Sequence, residues 1–192
     1  CEASTNAYGI TGSTPLVDSL LSVRYALYSE YIPNTDLVNY IQESGGTYLY
    51  ENLYTLPLGF VLPYDLADNW QYQMENPAEV QNDLCLLLGT DDVLVPVETE
   101  VSGSGCTFTA DMAGEYYVYI QNKKVKNVKA SLPSGEKNFS NVDRGFLLEM
   151  GNLSEGSRIT LTPGESGETL TAAVYRFSPR AMIQVYDRLS QS

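Results

Sequence analysis

A chain of 192 residues with an ordinary apolar fraction can bury a substantial core, which argues against a disordered segment. It contains no histidine, and that removes the usual general base near neutral pH, the Ser-His and Cys-His nucleophile pairs and most zinc sites. The net charge of −13 is unevenly spread: residues 1–122 hold Arg24 alone against seventeen acids, a net of −16 that argues against a nucleic-acid partner.

Residues 1–13 are small and polar and read as irregular. Ser13-Thr14-Pro15 is a helix start, a hydroxyl cap followed by proline, and Leu16, Leu20 and Val23 fit one face of a short helix over 15–22. Val23 to Tyr28 passes into strand-like sequence, and Pro33-Asn34 marks a turn. Leu37 to Phe60 carries the clearest fold signal. Two β-rich runs flank Glu43-Ser44-Gly45-Gly46, a hairpin with a four-residue loop. Tyr48 and Tyr50 share one strand face, with Thr47, Leu49 and Glu51 on the other. Pro57 and Gly59 punctuate a third run, Phe60 to Leu62.

Pro63 to Gln73 reads as irregular or briefly helical and holds the only tryptophan, Trp70. Asn76-Pro77-Ala78-Glu79 starts a helix over 77–88, with Val80, Leu84, Leu87 and Leu88 as its buried stripe and Gly89 as its end. From Val93 the pattern changes to strand-length runs: Val93–Val101, Gly105–Ala110, Glu115–Gln121, Val125–Ser131, Gly145–Met150, Arg158–Pro163 and Thr169–Phe177. Turn residues such as Gly103, Gly114, Pro133-Ser134-Gly135, Gly151-Asn152 and Pro163-Gly164 separate them. Strands at this spacing without intervening helices predict an antiparallel sandwich or jelly roll. Ser178-Pro179 starts a last helix over 179–189, whose Met182, Val185, Tyr186 and Leu189 should dock on the sheet.

The fold class is therefore mainly β. An α+β N-terminal part with a central hairpin (1–92) precedes an antiparallel β-sandwich or jelly-roll-like second half with a closing helix (93–192), the two packed as one unit.

Candidates for chemistry are few. Asp65 and Asp68 lie close to Trp70, flanked by Tyr64 and Tyr72. Aromatic faces stack on sugar rings while carboxylates accept their hydroxyls, so these five residues are a carbohydrate-binding candidate; the alternative is a surface loop anchored by a buried indole. Calcium is the one ion such a pair of aspartates would attract. The basic cluster Lys123, Lys124, Lys126, Lys129, Lys137 and Arg144 is an anionic-ligand candidate, against the alternative of a solvated loop. Asp91-Asp92 reads as a turn, and Glu98 and Glu100 as the exposed face of a strand. Cys85 and Cys106 lack metal-ligand spacing, and Cys85 reads as a core thiol. No catalytic residue, metal site or cofactor is expected, and no phosphate loop, dinucleotide fingerprint or nucleophile elbow occurs. Apolar runs such as Leu84–Leu88 are far short of the roughly twenty residues that span a bilayer, and the first residues do not read as a signal peptide.

Three stretches go further: Pro15-Leu16-Val17-Asp18-Ser19-Leu20-Leu21-Ser22-Val23-Arg24-Tyr25, Gly46-Thr47-Tyr48-Leu49-Tyr50-Glu51-Asn52 and Leu56-Pro57-Leu58-Gly59-Phe60. Asn76-Pro77, then Gln81-Asn82 and a leucine-rich helix ending in Gly89, continues the pattern. Together they resemble the extracytoplasmic region of the YfhO family of bacterial multi-spanning membrane proteins. The likeness is strongest over residues 8–90 and looser to about 178, where Gly151-Asn152-Leu153 and Gly156-Ser157-Arg158-Ile159 fit the family's sandwich.

The resemblance implies a non-catalytic extracytoplasmic fragment of a membrane protein at the bacterial cell membrane. Family members look like GT-C type glycosyltransferases that take a sugar from a polyprenyl-phosphate carrier. In Gram-positive bacteria they are associated with glycosylating cell-envelope polymers such as teichoic acid. Its partners would be the membrane-embedded remainder of the same polypeptide and a cell-envelope glycopolymer. The loops that carry the family's catalytic acids are not matched, so no catalytic residue carries over. Two alternatives stand beside this reading. One is a free-standing surface lipoprotein or carbohydrate-binding module with Cys1 as lipid anchor; the other is the extracellular domain of a transporter permease.

Overall fold

The computed structural model describes residues 12–33, 35–62 and 65–191; Cys1, Asn34, Pro63 and Tyr64 lie outside these. The chain is mainly β, with three antiparallel sheets and a few short helices. It forms two compact units. One is built from Ser13–Tyr72, Gln81–Val93 and Ser178–Ser192, the other from Gly12, Gln73–Val80 and Leu94–Phe177. Where the sequence reading divides the chain near residue 92, the units interleave.

The first unit opens with α1 (Pro15–Leu20), capped by Thr14, whose hydroxyl accepts from the Val17 N–H. Its sheet has the order β1-β3-β2, from β1 (Tyr25–Tyr28), β2 (Val38–Ser44) and β3 (Thr47–Asn52). The β2–β3 loop is two residues, shorter than expected. Glu43 and Ser44 stay in the ladder opposite Tyr48 and Thr47, and Gly45 and Gly46 make the turn alone at φ 59° and 78°. A turn with both central residues left-handed matches the twist of the flanking strands, and glycine takes that conformation without steric cost.

A bulge at Ile41 shifts the register after Tyr40 and keeps that ring on the face of Tyr50. Rings of Tyr28, Tyr31, Tyr40, Tyr48 and Tyr50 then meet edge-to-face at 5.4–5.9 Å, and Tyr50 is fully buried. Phe60–Leu62, which resembles a strand in sequence, joins no sheet. One helical turn, α2 (Leu66–Asn69), follows.

In α3 (Pro77–Leu88) the Asn76 side chain caps the start by accepting from the Ala78 N–H at 3.0 Å. The buried positions are Ala78, Gln81, Leu84 and Cys85; Val80 and Leu88 are only half-buried and Leu87 is exposed. The stripe expected from apolarity is thus rotated. Gln81 takes a buried position because its side-chain oxygen accepts the Thr14 hydroxyl at 2.5 Å, which satisfies a polar group that would otherwise be costly inside. The last helix, α4 (Pro179–Ser190), is capped by Ser178 and buries Ala181, Met182, Val185 and Leu189. It belongs to this unit, packs on α1 and sets Tyr186 edge-on to Tyr54 at 5.2 Å.

The second unit is a two-sheet sandwich. Its strands are β4 (Leu94–Val97), β5 (Thr99–Ser102), β6 (Gly105–Thr109), β7 (Gly114–Ile120), β8 (Asn127–Leu132), β9 (Gly135–Ser140), β10 (Leu148–Leu153), β11 (Arg158–Pro163) and β12 (Ala172–Phe177). They form a four-stranded sheet β10-β7-β12-β4 and a five-stranded sheet β5-β6-β11-β8-β9. Phe108, Val128, Ala130, Ile159 and Leu161 from one sheet fill the core with Tyr116, Val118, Ile120, Leu148, Met150 and Val174 from the other.

Three expectations change here. The run Val93–Val101 is two strands, because the chain breaks at Glu98 and passes from one sheet to the other. The segment 135–140 is the edge strand β9 and not a loop; its polarity reflects a sheet margin, where charged residues also discourage pairing with other chains. Gly151-Asn152 lies inside β10, at a bulge between Glu149 and Gly151.

Candidate functional site

Asp65 precedes α2 and Asp68 lies in its single turn, both exposed, while Trp70 ends it with its N–H donating to the Leu66 carbonyl at 2.9 Å. Trp70 is half-buried and Tyr72 is exposed. Their rings stand 6.2 Å apart at 64°, edge-to-face, so they offer no shared flat platform to a sugar. Next to them the Gln71 N–H donates to Asp83 at 2.7 Å, which ties this segment to α3. Tyr64 lies outside the described residues. Among those described, no three carboxylate or thiol side chains converge as a metal site.

The six basic residues of the second candidate are all exposed but do not form one surface. Lys129 stands opposite Asn138, and its neighbour Lys137 stands opposite Ala130. Because successive strand residues alternate sides, Lys129 and Lys137 occupy opposite faces of the β8–β9 hairpin. Lys129 pairs with Glu136 at 2.7 Å. Lys137 donates to the Met150 and Glu149 carbonyls at 3.2 and 3.4 Å, so it ties the edge of one sheet to the bulged strand of the other. Lys123 donates to the Tyr119 hydroxyl at 2.7 Å, with its ammonium 4.4 Å from that ring's centre. Lys124 and Lys126 occupy the turn before β8, and Arg144 a single 3₁₀ turn over Val142–Arg144.

The site that sequence reasoning passed over is a groove in the first unit of about 540 Å³. It is lined by Ser22, Arg24, Glu51, Asn52, Leu53, Thr55, Leu56, Pro57 and Leu58. Arg24 donates from Nε and Nη2 to one Glu51 oxygen at 3.1 and 3.0 Å and lies against the Tyr25 ring. The Glu51 carboxylate raises the Arg24 pKa first through that hydrogen bond, and nearby Tyr25 adds to it. Asn52 donates to the Val23 carbonyl and accepts from the Tyr54 N–H at 3.1 Å. Ser22 sits at φ 60°, an uncommon conformation for a residue with a side chain. The available signal was that Arg24 is the sole cation in 122 residues.

Neither thiol suits nucleophilic work. Burial pushes Cys106 up to about 11 and raises Cys85 as well, so both are held as neutral core groups. No family model, curated protein or solved structure matches the chain.

Proposed function

We infer that the chain is a non-catalytic extracytoplasmic module of a bacterial membrane protein resembling the YfhO family. The parent protein would transfer a sugar from a polyprenyl-phosphate carrier to a cell-envelope polymer such as teichoic acid. The observation that carries this is the convergence of the three stretches on which the resemblance rests. Arg24 of the first binds Glu51 of the second, and Asn52 binds the Val23 carbonyl. The Leu56 N–H, at the head of the third, donates to Ser19 of α1 at 3.3 Å, and the Ser19 hydroxyl donates to the Tyr54 carbonyl. Residues this far apart in sequence, spent on holding one another, have the character of a scaffold shared by a family of domains.

The coding sequence on either side of the chain tests the reading. Long apolar stretches on both sides are expected. Their absence would overturn it in favour of a free-standing lipoprotein. Incubating the isolated chain with a polyprenyl-phosphate-linked sugar and an acceptor should give no transfer, and transfer would sink the non-catalytic role.

A second reading, a carbohydrate-binding module, is favoured by the Trp70–Tyr72 pair beside Asp65 and Asp68. Neutral oligosaccharides would then shift signals of those residues with little salt dependence. An anionic glycopolymer would instead perturb residues 123–144 and fade with salt.

A further inference from the structure

Between Glu51 and Asp65 the sequence contains no charged residue, in a chain whose first 122 residues carry a net −16. The described part of this stretch is a loop whose base is fixed and whose tip is apolar. Leu56 is buried and tied to Ser19, and Thr55 donates to the Asn52 carbonyl at 3.0 Å. Past that anchor Leu58 is 95% exposed and Val61 66% exposed. A leucine held out from a pinned loop is not closing over its own core. Arg24 lines the same groove as Leu53, Pro57 and Leu58, with its side chain 63% exposed.

We propose that this loop is a lipid-interface contact, with Leu58 and Val61 entering the boundary between headgroups and acyl chains of a bilayer and Arg24 at phosphate depth. The charge pattern selects this occupant. A basic protein partner would seek the acids that abound elsewhere in residues 1–122, and an anionic polymer would be repelled by them. A zwitterionic lipid surface asks only for apolar side chains beside a cation, which is what the loop and Arg24 supply. The contact rests on the reading above for its place in the cell: it is the side such a module would turn to its membrane.

Flotation of the 192-residue chain with phosphatidylcholine vesicles tests it, with vesicles containing one quarter phosphatidylglycerol as the second arm. The chain should float with phosphatidylcholine. It should float less with the anionic vesicles at low salt and recover as salt is added, because its net −13 is repelled. Leu58→Asp and Val61→Asp should each lower the bound fraction by about tenfold, since each replaces inserted apolar surface by a charge, while Leu58→Ile retains it. Unchanged thermal unfolding of these exposed-site variants establishes that the fold is intact. No flotation at millimolar lipid, or flotation indifferent to Leu58→Asp, overturns the proposal. So does binding that requires anionic lipid and fades with salt, which would assign it to residues 123–144. Self-association abolished by Leu58→Asp would give the loop to a second copy and equally overturn it. The flanking coding sequence decides the functional reading independently of every one of these results.

Discussion

Tyr50 and Ile32 exchange two hydrogen bonds. The Ile32 N–H donates to the phenolic oxygen and the phenol donates to the Ile32 carbonyl, both at 2.7 Å. A fully buried ring on the central strand of the first sheet thus fastens the loop that crosses the tyrosine face, satisfying two main-chain groups with one hydroxyl. Tyr50→Phe keeps the ring and strips both bonds. It should lower stability by about 1–2 kcal/mol in urea titrations. A loss no larger than that of an exposed-tyrosine control such as Tyr25→Phe would show that the loop is not held this way.

The rotated face of α3 makes a second comparison. Leu84 is buried, whereas Leu87 is 38% exposed. Leu84→Ala should cost about 2–5 kcal/mol and Leu87→Ala less than about 1 kcal/mol. Val80→Asp, at a half-buried position, should be milder than Leu84→Asp, which strands a carboxylate in the core. Equal losses across these positions would restore the stripe that apolarity alone suggests.

Backbone proximity singles out Gly105. A Cβ there would lie 2.0 Å from the Leu161 carbonyl oxygen on the neighbouring strand, a contact only main-chain movement can relieve. Gly105→Ala should cost about 3 kcal/mol or abolish folding. Gly59, where a Cβ meets nothing within 4 Å, provides the control: Gly59→Ala should stay within about 0.5 kcal/mol of the parent. Thermal unfolding of the pair decides it.

Asp111 links folding to pH. Desolvation pushes its pKa up, but the Tyr116 hydroxyl at 2.7 Å and the Arg176 guanidinium at 3.1 Å outweigh this and hold the carboxyl below its ordinary 3.8. A depressed acid stabilises the fold above its unfolded pKa, and that contribution is lost as pH falls through the folded value. Asp111→Asn should therefore cost up to about 1 kcal/mol at pH 7, a modest figure because the pair is partly solvated, and nothing well below pH 3.8. Stability curves of the two proteins that stay parallel down to pH 2 would refute the assignment.

Local signals were legible wherever a residue acts on its immediate neighbours. Thr14-Pro15, Asn76-Pro77 and Ser178-Pro179 mark three helix starts because a short polar side chain reaches only the next turn of backbone. Gly45-Gly46 marks its hairpin because few other residues accept two successive left-handed positions. Period-two apolarity disclosed most sandwich strands, but not β9, whose edge position leaves nothing apolar to alternate.

By itself, then, the sequence determined the mainly β class, the helix starts and the poverty of titratable chemistry, since these follow from residue type and near-neighbour spacing. The tertiary structure alone decided which side of α3 is buried, because Gln81 goes inside only when Thr14, 67 positions away, arrives to bond it. It also divided Lys129 from Lys137, since pairing in the β8–β9 hairpin sends them to opposite faces, and brought Arg24 beside Leu58. Such long-range partners are invisible to periodicity: burial and charge convergence depend on which segments meet, and distance along the chain does not encode that.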